Sequence, residues 1–160
     1  MTTEDPLGDG DVMLRPVTEE NRPALEALRV ATAQRAFVSS VTDSLAEAER
    51  YADANPLVFG LYDRETPVGF VMIADEVESP DYIPHYLWKL LIDERYQRQG
   101  FGTATLDLIV EYFRGRPGVE LLSTSAGQGD GSPISFYEHY GFERTGEVQF
   151  GEVMLRLKLR

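Results

Sequence analysis

Gln97-Arg98-Gln99-Gly100-Phe101-Gly102 constrains the fold more than any other stretch, because it follows an apolar run, Tyr86 to Ile92, and leads directly into a helix-patterned run, Thr103 to Arg114. A strand that feeds a glycine-rich turn and then a helix makes an anion cradle. Gly100 and Gly102 carry no Cβ where the backbone must bend or let a ligand approach, and the first N–H groups of the helix then point unpaired into the turn. Phosphate fits such a place well.

Two commoner phosphate loops are excluded. A dinucleotide fingerprint needs a third glycine three residues after Gly102, where Thr105 stands, and no G-x-x-x-x-G-K-[ST] occurs anywhere in the chain. What remains, Q-x-x-G-x-G between a strand and a helix, resembles the pyrophosphate loop of the GNAT superfamily, the acyl-CoA-dependent N-acyltransferases. A second block follows some thirty residues on. Ser132 to Phe142 reads as one short helix with Ser132 as N-cap, Pro133 at the first helical position and Gly141 just past the end. It resembles that family's terminal F-Y-x-x-x-G-F signature. Val119 to Ser125 before it is a strand, and after it Val153, Leu155, Leu157 and Leu159 alternate with Met154, Arg156 and Lys158 as a last strand.

The chain has 160 residues, 42% of them hydrophobic and 11% aromatic, enough for one good core and one domain over residues 1–160. A formal charge of −12 argues against nucleic acid as a partner, since phosphate binding needs a basic footprint. The acidity either keeps the protein soluble or steers a cationic ligand. With no Cys, disulfides, thiolate zinc sites and an acyl-cysteine intermediate are excluded. Only His85 and His139 are present, without the i, i+4 spacing of a zinc pair, so no metal is expected, and with no G-x-S-x-G a hydrolase reading fails. Met1 to Asp11 lacks a signal-peptide pattern and no apolar run reaches membrane-spanning length, so the cytoplasm and no membrane are expected; a homodimer is expected as well.

The N-terminal half begins with a strand over Val12 to Val17, then a helix opened by Thr18-Glu19-Glu20-Asn21 and continued by Leu25, Leu28 and Thr32. Ser44-Leu45-Ala46-Glu47 reads as a capping box for a second helix that runs to Ala54. Leu57 to Asp63 and Val68 to Asp75 form a hairpin around Arg64 to Pro67. The resulting order, β-α-α-β-β-β-α-β-α-β, predicts an α/β (α+β) domain: a mixed, mostly antiparallel central sheet with helices on both faces. Leu106, Ile109, Val110 and Phe113 form an i, i+3, i+4, i+7 stripe and are assigned to the core.

The resemblance implies splayed central strands, acetyl-CoA as cosubstrate and a primary amine as acceptor. It places the pyrophosphate on Gln97, Arg98, Gln99, Gly100, Phe101, Gly102 and Thr103, and the pantetheine arm along Leu90 and Ile92. Arg98 either adds charge to the phosphates or is an exposed turn arginine. Asp130 stands where relatives often have a pantetheine-holding asparagine, and an ionised Asp can only accept hydrogen bonds. Tyr137 occupies the tyrosine position of the signature, which in many relatives faces the thioester sulfur, and is the expected general acid; Tyr140 is assigned to the core. A primary amine of pKa about 10.4 is roughly one part in a thousand neutral near pH 7.4, a cost of about 4 kcal/mol unless a base assists. Asp75, Glu76 and His85 are the candidate bases. Gln34, Phe37-Val38, Ser44 to Ala48, Trp88-Lys89 and Ile92-Asp93 resemble the bacterial spermine/spermidine N-acetyltransferase branch. That branch implies a polyamine acceptor, with Glu76, Glu78 and Asp81 as an acidic rim. The competing readings are another acceptor, such as an aminoglycoside or a protein N-terminus, and a catalytically silent CoA-binding sensor.

Overall fold

In a computed structural model that describes residues 5–75 and 79–160, the apolar runs pair into one seven-stranded sheet. The strands are β1 (Val12–Pro16), β2 (Pro56–Asp63), β3 (Thr66–Ala74), β4 (Tyr86–Ile92), β5 (Leu121–Ala126), β6 (Glu143–Gln149) and β7 (Glu152–Lys158). Four helices connect them: α1 (Arg22–Glu26), α2 (Val41–Arg50), α3 (Phe101–Arg114) and α4 (Ile134–Tyr140). The sheet order is β1-β2-β3-β4-β5-β7-β6, and every neighbouring pair is antiparallel except β4 with β5.

Each face of the sheet has its own core. The α3 stripe of Leu106, Ile109, Val110 and Phe113 is buried, as the sequence predicts, against Leu14, Leu87, Leu122 and Leu155. On the opposite face Leu25, Leu28, Val41 and Leu45 cover Phe70, Met72 and Leu91. Burying each such side chain contributes about 1.5–3 kcal/mol, so these two layers fix which face each helix takes.

Helix ends differ from the sequence reading for local reasons. α2 starts a turn earlier than the Ser44 box, because Ser40 Oγ accepts from the Asp43 N–H at 3.1 Å. This earlier cap buries Val41 and leaves Ser44 inside the helix. α1 stops after five residues instead of continuing to Thr32. Beyond it the Arg29 N–H is taken by the Asp93 carboxylate at 2.9 Å, which pulls the chain off the helical path. α4 starts one residue late, with Pro133 as its N-cap. Sequence periodicity missed β6 altogether, since Glu143–Gln149 is polar and almost wholly exposed. It is an edge strand held by its pairing with β7.

Candidate active site

The centre of the sheet is pulled apart. Trp88 is an extra residue in β4: Met72 opposes Lys89 and Ile73 opposes Leu87, so the strand bulges there. On its other side β4 pairs with β5 only at Tyr86↔Ser123 and Leu87↔Thr124. At the parting point Thr124 Oγ1 donates to the Leu87 carbonyl at 2.8 Å, a side chain standing in for the next rung of the ladder. Past Leu87 no described strand pairs with that edge of β4, and a cleft of about 480 Å³ opens between the strand end, the glycine turn and α4.

Of the residues expected to hold acetyl-CoA, Leu90, Ile92, Gln97, Arg98, Gly100, Phe101, Gly102 and Thr103 line this cleft, while Gln99 and Asp130 do not. Gln99 is exposed beside the Arg95 carbonyl, and Asp130 is exposed where its neighbours Gly131 and Ser132 turn inward. Gly100 caps α3 at φ 85°, and a Cβ there would meet nothing within 4 Å. The Ala104 N–H is bonded to the Gly100 carbonyl, which leaves the N–H groups of Phe101, Gly102 and Thr103 outside the intrahelical ladder at the cleft. Three free donors, a helix N-terminus and the guanidinium of Arg98 fit a pyrophosphate. Gly102 has a packing task as well. Its Cβ would stand 2.9 Å from the Phe136 ring, so glycine lets α3 and α4 close against each other.

Gln97 lines the cleft and also braces it. Its Nε2 donates to Gln34 Oε1 at 2.6 Å and to the Ile92 carbonyl at 2.9 Å, which ties the turn to the strand end and leaves the amide nitrogen saturated. The Ile92 carbonyl is therefore already engaged. Over the cleft lies a roof that the sequence did not reveal. Gly127 and Gly129 pack under the Phe37 ring, and a Cβ on Gly131 would fall 2.2 Å from the Ala33 carbonyl oxygen.

Tyr137 enters the cleft from α4, packed between Phe136 and Phe142 at 5.5 Å ring separations and almost wholly buried. Burial pushes its phenol well above the ordinary range; the Thr124 hydroxyl opposes this, and the nearby Tyr86 and Glu152 add to the rise. A phenol so placed keeps its proton at neutral pH and has it to donate. Tyr140 is not buried as expected. It is half-exposed, and its hydroxyl donates to Asp107 Oδ1 at 2.7 Å.

Of the expected bases, Asp75 and His85 line neither this cleft nor the second one described below. Asp75 is buried under α3, where it accepts from the Tyr112 hydroxyl at 2.5 Å, pairs with Arg116 and faces His85 Nδ1 at 3.4 Å. Removing one partner from such an interior ion pair is costly. Glu76 and Glu78 lie outside the described residues.

A second cleft of about 480 Å³ lies on the α2 face of the parted strands. Among the described residues its aromatic lining is Tyr51, Tyr82, Tyr86, Trp88 and Phe150, its acids are Glu47, Asp81 and Glu152, and no Lys, Arg or His lines it. Glu47 is held by Trp88 Nε1 and Lys89 Nζ, both at 3.2 Å. Glu152 accepts from the Ser125 hydroxyl at 2.8 Å, and Ser125 is hydrogen-bonded to the Tyr86 hydroxyl. Tyr86, Ser125 and Glu152 carry no local motif. They meet because β4, β5 and β7 are neighbours in the sheet.

Comparison with known proteins agrees with this geometry. The model of the acetyltransferase (GNAT) family matches residues 24–142. A spermine/spermidine N(1)-acetyltransferase of Bacillus subtilis (strain 168) is 26% identical over 152 residues, covering 92% of this chain and 97% of that one. Among solved structures, a putative acetyltransferase of the GNAT family from Desulfovibrio desulfuricans superposes with a TM-score of 0.69 at 20% identity, over 93% of this chain and 99% of that one. The ribosomal-protein-S18-alanine N-acetyltransferase from Escherichia coli gives 0.63 at 18% identity, over 92% and 94%. At such identities these structures speak for the fold. With the family model spanning the glycine turn and the F-Y-x-x-x-G-F helix alike, this chain belongs to the GNAT family and is an acetyltransferase.

Proposed function

We propose that the protein is an acetyl-CoA-dependent N-acetyltransferase that acetylates a primary amine of a small polycation, a polyamine or diamine, in the cytoplasm and as a homodimer. The observation that carries the acceptor class is the second cleft, whose lining among the described residues has three carboxylates, five aromatic rings and no basic side chain. Aromatic faces and carboxylates both attract ammonium groups, and alkyl segments between the cations suit the ring surfaces. The 26% identity to the Bacillus subtilis spermine/spermidine enzyme points the same way.

In this reading the free N–H groups of Phe101, Gly102 and Thr103, with Arg98, hold the pyrophosphate. The arm lies along the open edge of β4 at Leu90 and Ile92, under the roof of Gly127 to Gly131. Acetyl-CoA brings the activated acyl group. Tyr137 faces the sulfur end of that path and supplies the proton that the departing thiolate needs. Burial raises the proton affinity of a thiolate as well as that of a phenol, so donor and acceptor stay matched in the dry cleft.

The test is a panel of amines assayed for thiol release across ionic strength. Spermidine, spermine or a diamine should be the best substrate, and its KM should rise with salt more steeply than that of a monoamine, because screening sets in at a Debye length of about 8 Å near physiological strength. Turnover of an aminoglycoside or a peptide N-terminus but of no polyamine refutes the acceptor class. Acetyl-CoA binding without turnover of any amine makes the protein a sensor.

A further inference from the structure

We propose that Glu152, reached through the hydroxyls of Ser125 and Tyr86, takes up the proton that the acceptor ammonium must lose; the proposal rests on the acetyl-transfer reading above. The three side chains form one continuous hydrogen-bonded chain, from the Tyr86 hydroxyl to Ser125 Oγ and from Ser125 Oγ to Glu152 Oε1 at 2.8 Å. All three are half-buried and line the acceptor cleft. Tyr86 is the last residue but one before β4 leaves β5, so the chain begins where the acceptor cleft meets the parting of the strands. The other acids of the cleft lack this connection. Glu47 is already ion-paired with Lys89, and Asp81 is exposed at the mouth. Glu152 is thus the carboxylate tied by proton-carrying groups to the point where the amine must attack.

The step balances. The ammonium gives a proton to the Tyr86 oxygen as the Tyr86 proton passes to Ser125 and the Ser125 proton to Glu152. The freed nitrogen lone pair forms the N–C bond to the acetyl carbonyl carbon, and the C–S bond breaks with its electron pair on sulfur. Tyr137 protonates that sulfur. The second amine proton, released as the amide forms, restores the phenol, and Glu152 returns the first to solvent. Each hydroxyl both donates and accepts, so the relay moves a proton without leaving a charge on Tyr86, whose phenol burial keeps neutral. The ionisable groups that face Glu152 across the cleft are Glu47 and Tyr51 from α2 and the turn after it, Asp81 and Tyr82 from the loop before β4, and Tyr86 from β4. They are acids and phenols, with Glu47 paired to Lys89.

Three variants test the relay: Ser125→Ala removes the middle link, Ser125→Thr keeps a hydroxyl there, and Glu152→Gln keeps the shape of the terminal acceptor without its basicity. Each is assayed from pH 6 to 10 with whichever amine of the panel the parent acetylates fastest, and acetyl-CoA affinity is measured by calorimetry. Loss of general base catalysis costs about 10²–10⁴-fold in kcat. Ser125→Ala and Glu152→Gln should show that loss with parental acetyl-CoA affinity, and their rates should climb about tenfold per pH unit without the plateau of the parent, since only amine already neutral in solution can react. Ser125→Thr should stay within about threefold of the parent. A Ser125→Ala enzyme within threefold of the parent across the pH range overturns the relay. So does a Glu152→Gln enzyme that loses KM alone, which would make Glu152 a cation-binding group. If the parent acetylates no amine of the panel, the acetyl-transfer reading itself has failed, and the relay with it.

Discussion

Replacing Gly102 by alanine asks whether the glycine turn and the F-Y helix build one site. The added methyl would stand 2.9 Å from Cζ and 3.3 Å from Cε1 of Phe136. An unstrained carbon pair prefers about 3.5–4.0 Å, so the ring must withdraw by roughly 0.5–1 Å. Phe136 is half-buried and lines the cleft, and the free space on its far side is the cleft itself. Overpacking costs about 1–3 kcal/mol. A ring with room to swing puts the cost at the lower end, and alanine in a helix returns about 1 kcal/mol over glycine. The two nearly cancel in stability. They do not cancel in binding, because the displaced ring now occupies the path of the acetyl-CoA arm. Gly102→Ala should therefore keep its Tm within about 2–4 °C of the parent while its calorimetric Kd for acetyl-CoA rises roughly 5- to 30-fold, the equivalent of 1–2 kcal/mol. An unchanged Kd refutes the argument and moves the arm elsewhere. A steep loss of Tm with parental affinity would show that the collision lies in the core and not at the cleft.

Tyr137→Phe keeps the ring and removes the hydroxyl, so kcat should fall about 10²–10⁴-fold with acetyl-CoA affinity intact. Because burial holds the phenol above its ordinary range, the parent's kcat should not decline through pH 10 on its account; a decline there that Tyr137→Phe abolishes would contradict the assignment. Asp93 supplies the other pH-dependent test. Burial pushes its carboxyl up, but bonds from Arg95 and from the Arg29 and Arg95 N–H groups outweigh this and hold it below the usual carboxylate range. A depressed folded value means stability that is present above the unfolded value of about 3.9 and lost as pH falls through the folded one. Asp93→Asn should cost about 1.5–3 kcal/mol at pH 7 by denaturant unfolding, narrowing below about pH 4; equal midpoints at pH 7 would show that the anchor contributes nothing.

What was legible in the sequence is what is encoded locally. A glycine turn with its helix and a Ser-Pro to Gly helix are each written in a dozen consecutive residues, and both are present with starts shifted by one or two residues. The second cleft is the opposite case. Glu47, Trp88, Ser125 and Glu152 come from α2, β4, β5 and β7, and their meeting depends on the sheet order, which no local period contains. Asp75 shows the same limit, since its ion pair is made with Arg116, forty-one residues away. The missing Cβ of Gly102 is legible in the sequence, but that it also makes room for the Phe136 ring depends on how α3 meets α4.

The parting of β4 from β5 also divides the molecule by chain history. Strands β1 to β4 come from residues 12–92 and pair only among themselves on one side, whereas β5, β6 and β7 come from residues 121–158 and pair among themselves on the other. Across this seam the strand ladder amounts to two residue pairs. The bond network of the sheet is therefore that of two nearly separate fragments joined through the α3 connection, and a cosubstrate lodged in the seam would fasten one to the other. A ligand present at a hundred times its Kd adds about 2.7 kcal/mol to whatever holds the binding state together. In a protein cut between Arg114 and Leu121 that increment would fall on the association of the two pieces, and acetyl-CoA would act as the mortar of the enzyme as well as its reagent.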